Sequence, residues 1–254
     1  MGKIIAFSNQ KGGVGKTTTC VNFSACLASL GKRVLLVDTD AQGNATSGLG
    51  IDKGKLQKSV YNTIIEGFST RKAIQKTQIE GLDILPSNID LAGAEVELVS
   101  LPARDKKLLS AIAEVKDDYD YVTIDCPPSL GLLTINALVC ADEVIIPIQP
   151  EYYALEGLSQ LLSTVKIVSK INKNLQIGGV VLTMYDGRAL ITRQITDEIR
   201  NFFGKKVFET VVPRNIRVTE APSHGVPVIL HDPKCAGAKA YKKITEEYLS
   251  RGEN

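Results

Sequence analysis

Short apolar runs alternate along the chain with longer segments in which apolar residues recur every three or four positions. Some of the short runs, such as IIAF at residues 4–7 and VLLV at residues 34–37, contain no polar residue. This pattern is typical of parallel strands that helices cover on both faces. It predicts strands at residues 3–8, 33–38, 82–86, 121–125, 143–149, 178–184 and 207–212.

The segments between these runs have the spacing of amphipathic helices. They predict helices at residues 16–30, 91–98, 106–115, 132–140, 155–171, 191–203 and 236–249. Regular alternation of strands and helices favours an α/β fold with a doubly wound, mostly parallel sheet flanked by helices. No repeat and no linker rich in Pro, Gly or Ser interrupts the alternation, so we expect one domain over residues 1–254.

Composition narrows the class of protein only slightly. A chain of 254 residues with 44% apolar and 23% charged residues is ordinary for a globular protein, and a net charge of +2 does not by itself indicate a nucleic-acid partner. The cysteines form no Cys-x-x-Cys pair and lie in or beside apolar stretches, which indicates reduced core residues of a cytosolic protein. They are Cys20, Cys26, Cys126, Cys140 and Cys235.

Neither end of the chain indicates a membrane segment. The first apolar run is about five residues long, too short for a signal peptide or a membrane span. The last predicted helix mixes Lys and Glu around a thin apolar face, whereas a membrane-surface helix would be more basic and more apolar. We therefore expect a cytoplasmic protein whose last helix packs on its own domain.

A glycine-rich loop, GGVGKTT at residues 12–18, follows the first predicted strand. Its glycines allow backbone N–H groups to point inward, and the positive end of the following helix adds to this anion-binding nest. Lys16 would approach the β- and γ-phosphates of a nucleotide, Thr17 would bind Mg²⁺, and Thr18 would donate to the α-phosphate. The sequence therefore predicts a nucleotide site at this loop.

Carboxylates follow two other predicted strands at the same edge of the sheet, where ligands bind in such folds. Asp125 ends a buried strand, where phosphate-loop proteins keep the carboxylate that holds the hydration shell of Mg²⁺, although a helix cap or turn is the alternative. Asp38 and Asp40 are two residues apart in an extended segment, so both would face the nucleotide. One would hold a metal-bound water and the other, nearer the γ-phosphate, would orient the attacking water; the alternative is a solvated acidic turn.

Lys11, in front of the glycines, distinguishes this loop from the ordinary phosphate-loop pattern. With KGGVGKTT, the stretches RVLLVDTDAQGNATSGLG, YDYVTIDCPPSLGLLTINAL, PIQPEYYALEGL and VVPRNIRVTEAPSHGVPV resemble the ParA family of partition ATPases, most closely its bacterial chromosomal (Soj) type. The resemblance extends over nearly the whole chain. It implies that Lys11 crosses the interface of an ATP-bound homodimer and delivers its charge to the partner's nucleotide, as an arginine finger does.

The resemblance also assigns roles to individual residues. Nucleotide contacts fall on the loop, with catalytic roles for Lys11, Lys16 and Asp40 and metal roles for Thr17, Asp38 and Asp125. The implied loop contacts are Lys11, Gly12, Gly13, Val14, Gly15, Lys16, Thr17 and Thr18. Adenine would lie near Met184, covered by Pro213 and bonded at its edge by Asn215, although Pro-x-Asn alone also reads as a turn. Ala41 stands where the family usually has proline, which frees the backbone beside Asp40 without an expected loss of activity.

Local charge adds a possible DNA site. Residues 188–217 contain seven basic and three acidic residues, a net charge of +4, whereas the rest of the chain carries −2. A solvated helix face is one explanation. The resemblance favours another, because family members bind double-stranded DNA without sequence preference, and Arg188 and Arg217 match their arginine positions. Such contacts to phosphates hold the backbone and read no bases.

Taken together, the resemblance implies an ATP-driven dimerising switch in chromosome or plasmid partition, associated with the nucleoid and stimulated by a ParB/Spo0J-type centromere-binding protein. Three other classes of protein share the loop. A MinD-like membrane-associated positioning ATPase would need a basic amphipathic C-terminal helix. A relative of the nitrogenase iron protein would need two cluster cysteines in each subunit, which Cys126 matches poorly. A biosynthetic ligase of the dethiobiotin synthetase kind would need a small-molecule pocket.

Overall fold

Adjacent residues of the first strand, β1 (Lys3–Phe7), belong to two different hydrophobic cores. Ile4 and Ala6 pack in one core, whereas Ile5 and Phe7 pack in the other. Because side chains alternate across a strand, one core lies on each face of the sheet. The computed structural model describes residues 2–152 and 154–252, except the side chains of residues 155 and 156.

The sheet is mostly parallel, as the alternation of strands and helices predicts. After β1 come β2 (Val34–Asp38), β3 (Gln75–Lys76), β4 (Leu82–Leu85), β5 (Tyr121–Asp125), β6 (Glu143–Ile148) and β7 (Gln176–Leu182). Within the described residues these seven strands form one sheet in the order β3-β4-β2-β5-β1-β6-β7. The short edge strand β3 runs antiparallel to β4, and the other paired strands are parallel.

Helices cover both faces of this sheet. They are α1 (Lys16–Ser29), α2 (Asn44–Gly48), α3 (Val60–Ile64), α4 (Thr70–Ala73), α5 (Leu91–Leu98), α6 (Lys107–Ala113), α7 (Leu132–Cys140), α8 (Ala154–Val168), α9 (Leu190–Phe203), α10 (Ile216–Glu220), α11 (Val228–His231) and α12 (Ala236–Gly252). Helices α1, α2, α11 and α12 supply the core that contains Ile5. Helices α3 to α9 supply the core that contains Ile4. The predicted doubly wound α/β architecture is therefore confirmed.

Six predicted strands are confirmed to within two residues, but the strand predicted at residues 207–212 is wrong. This segment makes an isolated parallel bridge between Val207 and Val180, and the N–H group of Val212 donates to the Leu182 carbonyl of β7 at 2.8 Å, but the residues between these two contacts form no ladder with the sheet. The N–H groups of Glu209 and Thr210 donate instead to the carboxylate of Glu247 in α12, at 2.8 and 3.3 Å. An acceptor from a distant helix thus replaces the strand ladder.

The C-terminal helix packs on the domain, as expected. Tyr241, Ile244 and Tyr248 of α12 are buried in the core that contains α1. Among the described residues, no helix has both the length and the apolar composition needed to cross a membrane. The cysteines at positions 20, 26, 126 and 140 are buried as predicted, whereas Cys235 is only half-buried, and all five are free of disulfides.

Candidate functional site

The glycine-rich loop connects the carboxyl end of β1 to the start of α1. Gly13 and Gly15 have φ angles of 73° and 83°, in the left-handed region that costs glycine no steric energy. Gly15 is the N-cap of α1, and its carbonyl accepts the first helical bond from the N–H group of Thr19 at 2.8 Å. The free N–H groups at this helix start face the side where an anion binds.

Two buried side chains that sequence reasoning missed anchor this loop. The amide of Asn9 donates to the carbonyl of Pro147 in β6 at 2.8 Å and accepts from the N–H group of Lys11 at 3.0 Å. The hydroxyl of Thr183, just after β7, donates to the carbonyl of Val14 at 2.7 Å. The loop is therefore fixed from both sides, by contacts between residues far apart in sequence.

Lys16 points into the site from the first turn of α1 and is 7% exposed. Its Nζ atom donates to the backbone carbonyl of Lys11 at 3.0 Å, which curls the side chain back over the loop. Burial lowers the pKa of Lys16, and the nearby carboxylate of Asp125 opposes this shift. A buried ammonium group with one neutral partner is suited to a phosphate, because a charged acceptor would replace the hydration that burial removes.

Asp125, at the end of β5, is fully buried, and among the described residues neither carboxylate oxygen has a hydrogen-bond partner of good geometry, although the nearby Thr17 hydroxyl lowers its pKa. Burial raises its pKa well above the usual range, and the nearby Asp38, its register partner across β2 and β5, raises it further. Buried polar oxygens normally accept hydrogen bonds, so the two carboxylate oxygens of Asp125 are available to bind a ligand. A divalent cation beside Thr17 fits this donor set, because hard cations prefer oxygen.

Asp38 and Asp40 have different surroundings, and that both face the nucleotide stays a prediction. Asp38 is fully buried, and its oxygens accept from the N–H group and hydroxyl of Thr46, at 2.9 and 2.7 Å, and from the N–H group of Asp40. Burial raises the pKa of Asp38 to about 6, and the bonds from Thr46 oppose this shift. Only Asp40 of the two lines the cavity described next. Asp38 thus fastens α2 to the end of β2.

A cavity of about 480 Å³ opens over the loop, within the range of small-molecule sites. One end is lined by Gly12, Gly13, Gly15, Lys16, Thr17 and Thr18, with Asp40 beside them, and the other by Met184, Pro213 and Asn215. The structure therefore brings the predicted phosphate and adenine residues into one cavity. The side chain of Val14 is buried instead, so its contribution to the loop is its backbone.

The part of the cavity at Met184 and Asn215 has two further constraints. Met184 has a φ of 48°, which is rare for a residue with a side chain and costs conformational energy. The Oδ1 atom of Asn215 accepts from the N–H group of Arg217 at 2.9 Å and caps α10. Asn215 is thus the N-cap of α10, and its side-chain NH₂ group is free of this capping bond.

Lys11 does not line the cavity of its own chain. Its Nζ atom forms a 3.0 Å ion pair with Glu151, in the loop before α8. The side chain keeps 32% of its surface exposed. The lysine that distinguishes this loop is thus kept near the phosphate site but outside it.

The two predicted DNA-contacting arginines are exposed and paired with carboxylates. Arg188 binds both oxygens of Asp186, at 2.9 and 2.8 Å, and this contact lowers the pKa of Asp186 to about 2. Arg217 pairs with Glu220 at 3.0 Å. A parallel bridge between Tyr185 and Pro213 brings their two segments side by side. Arg188 and Arg217 therefore lie on segments next to the part of the cavity lined by Met184 and Pro213.

The surroundings of Cys126 disfavour one alternative from the sequence, a relative of the nitrogenase iron protein. Cys126 is 1% exposed, and burial raises its pKa, so its thiol is poorly placed for a cluster shared between subunits. In the described part of the chain, no three or more His, Cys, Asp or Glu side chains are arranged to hold a metal ion. Magnesium at a phosphate loop needs no such cluster, because phosphates and water supply most of its ligands.

Comparison with known proteins gives consistent results. A family model described as an AAA domain matches residues 2–177. The chain is 56% identical to the sporulation initiation inhibitor protein Soj of Bacillus subtilis (strain 168), over 99% of this chain and 100% of that protein. It is 49% identical to the chromosome-partitioning ATPase Soj of Treponema pallidum (strain Nichols), over 99% of this chain and 98% of that protein.

A solved structure shares the fold over the whole length. Cobyrinic acid a,c-diamide synthase from Mycobacterium smegmatis, with a bound ATP analogue and magnesium, has a TM-score of 0.88 and 37% sequence identity to this chain. The match covers 100% of this chain and 97% of that one. A fold of this kind therefore accommodates an adenine nucleotide with magnesium.

Proposed function

Because the chain belongs to the ParA family of chromosome-partitioning ATPases, we propose that it works as an ATP-dependent dimerising switch on DNA. The observation that carries this proposal is the phosphate loop, where the buried ammonium group of Lys16 lies beside the unpartnered carboxylate of Asp125. Charges of both signs are rarely buried without a function. Here a nucleotide with its metal ion would satisfy both.

The loop residues bind the phosphates. N–H groups of residues 12–16 would donate to phosphate oxygens, Lys16 would neutralise the β- and γ-phosphates, and Thr18 would donate to the α-phosphate. At the other end, Met184 and Pro213 would cover the adenine ring while Asn215 donates to its edge. The cavity that contains both groups supports this orientation.

Thr17 and Asp125 would hold magnesium, and Asp38 would hold a metal-bound water through the acceptor capacity that its bonds from Thr46 and Asp40 leave free. Bound magnesium would neutralise negative charge on the phosphates and hold them for in-line attack. Asp40 would orient the attacking water and accept its proton. One Asp40 oxygen accepts from the N–H group of Gln42 at 2.9 Å, and that bond would fix the carboxylate's direction.

Lys11 would act in the partner subunit. Its exclusion from its own cavity, together with its exposure, supports a role in trans. In an ATP-bound homodimer it would contact the partner's phosphates, so that dimerisation requires nucleotide and hydrolysis separates the subunits. We propose further that all 254 residues form the one ATPase domain that takes part, because both cores flank a single sheet.

DNA binding follows from the same assembly. The dimer would present Arg188 and Arg217 of both subunits to the phosphate backbone of nucleoid DNA, without reading bases. A ParB/Spo0J-type centromere-binding protein would stimulate hydrolysis and release the dimer during chromosome or plasmid segregation. The buried apolar face of α12 leaves the alternative membrane-associated function without an anchor in the described residues.

The two loop lysines provide the test. Lys16→Ala should weaken nucleotide binding by about 10- to 100-fold, because a charge-assisted contact in a buried site is lost. Lys11→Ala should retain binding, since Lys16 bonds the backbone carbonyl of residue 11, which the substitution leaves in place. It should nevertheless stay monomeric. Light scattering with a non-hydrolysable ATP analogue and Mg²⁺ measures the assembly.

A matched control is available for the second variant. Lys58 forms a 3.2 Å ion pair with Glu66, with 36% of the Lys58 side chain exposed, so Lys58→Ala removes a comparable surface charge elsewhere. Lys58→Ala should dimerise like the wild type. A Lys11→Ala protein that also dimerised normally would refute the role of Lys11 in trans.

A further inference from the structure

The ion pair between Lys11 and Glu151 joins the phosphate loop to the entry of α8. Asn9 fixes the backbone of Lys11, and the first turn of α8 lies close to the side chain, since a Cβ atom at Gly157 would be 3.9 Å from the Lys11 Cβ atom. Only the outer part of the side chain is free to turn. In this structure it turns toward Glu151.

Glu151 is itself held in place. One of its oxygens contacts the side-chain amide of Gln149, and the other accepts from Lys11 at 3.0 Å. The carbonyl of Glu151 also accepts from the N–H group of Ala154 at 2.8 Å, at the start of α8. A carboxylate fixed in this way loses little conformational freedom on pairing, so the ion pair retains more of its Coulomb energy than a mobile surface pair.

We propose that Glu151 holds Lys11 within its own subunit, so that this carboxylate opposes pairing of two copies of the chain and sets the strength of the nucleotide-bound dimer. The inference rests on the proposed role of Lys11 in the partner subunit. Lys11 must leave Glu151 before its charge reaches the partner's phosphates. Glu151 is therefore a positioning residue that acts through Lys11.

The size of the effect follows from the exposure of the pair. The Lys11 and Glu151 side chains are 32% and 49% exposed, so the pair contributes in the range of surface ion pairs. Breaking the pair would weaken dimerisation about threefold for each subunit. This factor corresponds to about 0.65 kcal/mol, at 1.36 kcal/mol per factor of ten. Since a dimer breaks two pairs, Glu151→Gln should tighten the dimer about tenfold.

The experiment measures the dimer dissociation constant of the full chain by sedimentation velocity, at a saturating concentration of a non-hydrolysable ATP analogue with Mg²⁺. Glu151→Gln should lower this constant about tenfold, and Glu151→Asp, which keeps the charge, should return it toward the wild-type value. The gap between wild type and Glu151→Gln should narrow in high salt, which screens the pair. Thermal unfolding should be unchanged, because the pair is exposed.

Glu66→Gln is the matched control, because Glu66 pairs with Lys58 at 3.2 Å and is 47% exposed. It should leave the dimer unchanged. Suppose that the wild type dimerises and that Lys11→Ala does not. A Glu151→Gln dimer that is then as weak as the wild-type dimer, or weaker, would overturn the role of Glu151 and leave the proposed function intact. A wild type that stays monomeric would overturn both.

Discussion

Thr183 tests whether the phosphate loop depends on an anchor outside its own sequence. Thr183 is 2% exposed, and its hydroxyl donates to the Val14 carbonyl at 2.7 Å. Thr183→Val keeps the shape of the side chain and leaves that carbonyl without its donor. An unmet buried acceptor costs about 1–3 kcal/mol, equivalent to a 5- to 150-fold change in an equilibrium constant. Because the loop can shift toward solvent, we expect ATP binding to weaken by about 5- to 10-fold.

Isothermal titration calorimetry with ATP and Mg²⁺ measures this change, with thermal unfolding measured in parallel. Thr63→Val is the control, because the Thr63 hydroxyl is also buried and donates to a backbone carbonyl, that of Val60, at 2.8 Å. It should lower stability without changing ATP affinity, whereas Thr183→Ser should restore binding. Wild-type ATP affinity in Thr183→Val would refute the argument that this hydroxyl holds the loop in its binding conformation.

Two further predictions concern the switch. Asp40→Ala should lose hydrolysis yet keep the ATP-bound dimer on DNA, because the carboxylate acts on water and contributes little to nucleotide binding; a monomeric variant at saturating ATP would contradict this. If Arg188 and Arg217 each contact one phosphate, a dimer makes four contacts, and log K should fall with log salt concentration at a slope of about −3.6. Alanine at either position should flatten the slope by about 1.8, whereas Arg71→Ala, which removes a paired arginine near the edge strand β3, should not. Unchanged slopes in both DNA-site variants would exclude this surface.

The sequence predicts those parts of the site that depend on local chemistry. Gly13 and Gly15 are recognisable because left-handed backbone favours glycine, and Lys16 because a helix start after a buried strand binds anions. The partners of the loop are not visible in this way. Asn9 and Thr183 act through bonds to Pro147 and Val14, and these pairings exist only once β6 and β7 lie beside β1 or near its loop.

Contacts between residues far apart in sequence also explain where the predicted structure differs from the observed one. Apolar periodicity at residues 207–212 correctly indicates buried side chains, but Glu247 in α12 takes the N–H groups that a strand would use. The strand β3 is two residues long and too short for periodicity to show. Asp38 has the spacing of a residue that faces the nucleotide, and that spacing does not show that Thr46 also donates to its carboxylate. In each case a tertiary contact decides between two locally acceptable structures.

The division of β1 between two cores has a consequence for motion. A fluctuation that exposed the β1 amides would have to open both cores at once, so its free energy approaches that of global unfolding. The ion pair of Lys11 with Glu151 lies at the surface, where pairs of this kind contribute about 1 kcal/mol or less and exposed side chains change rotamer within nanoseconds. Amide hydrogen exchange would therefore be slowest in β1, directly beneath a loop whose Lys11 ion pair opens at a cost of about 1 kcal/mol or less.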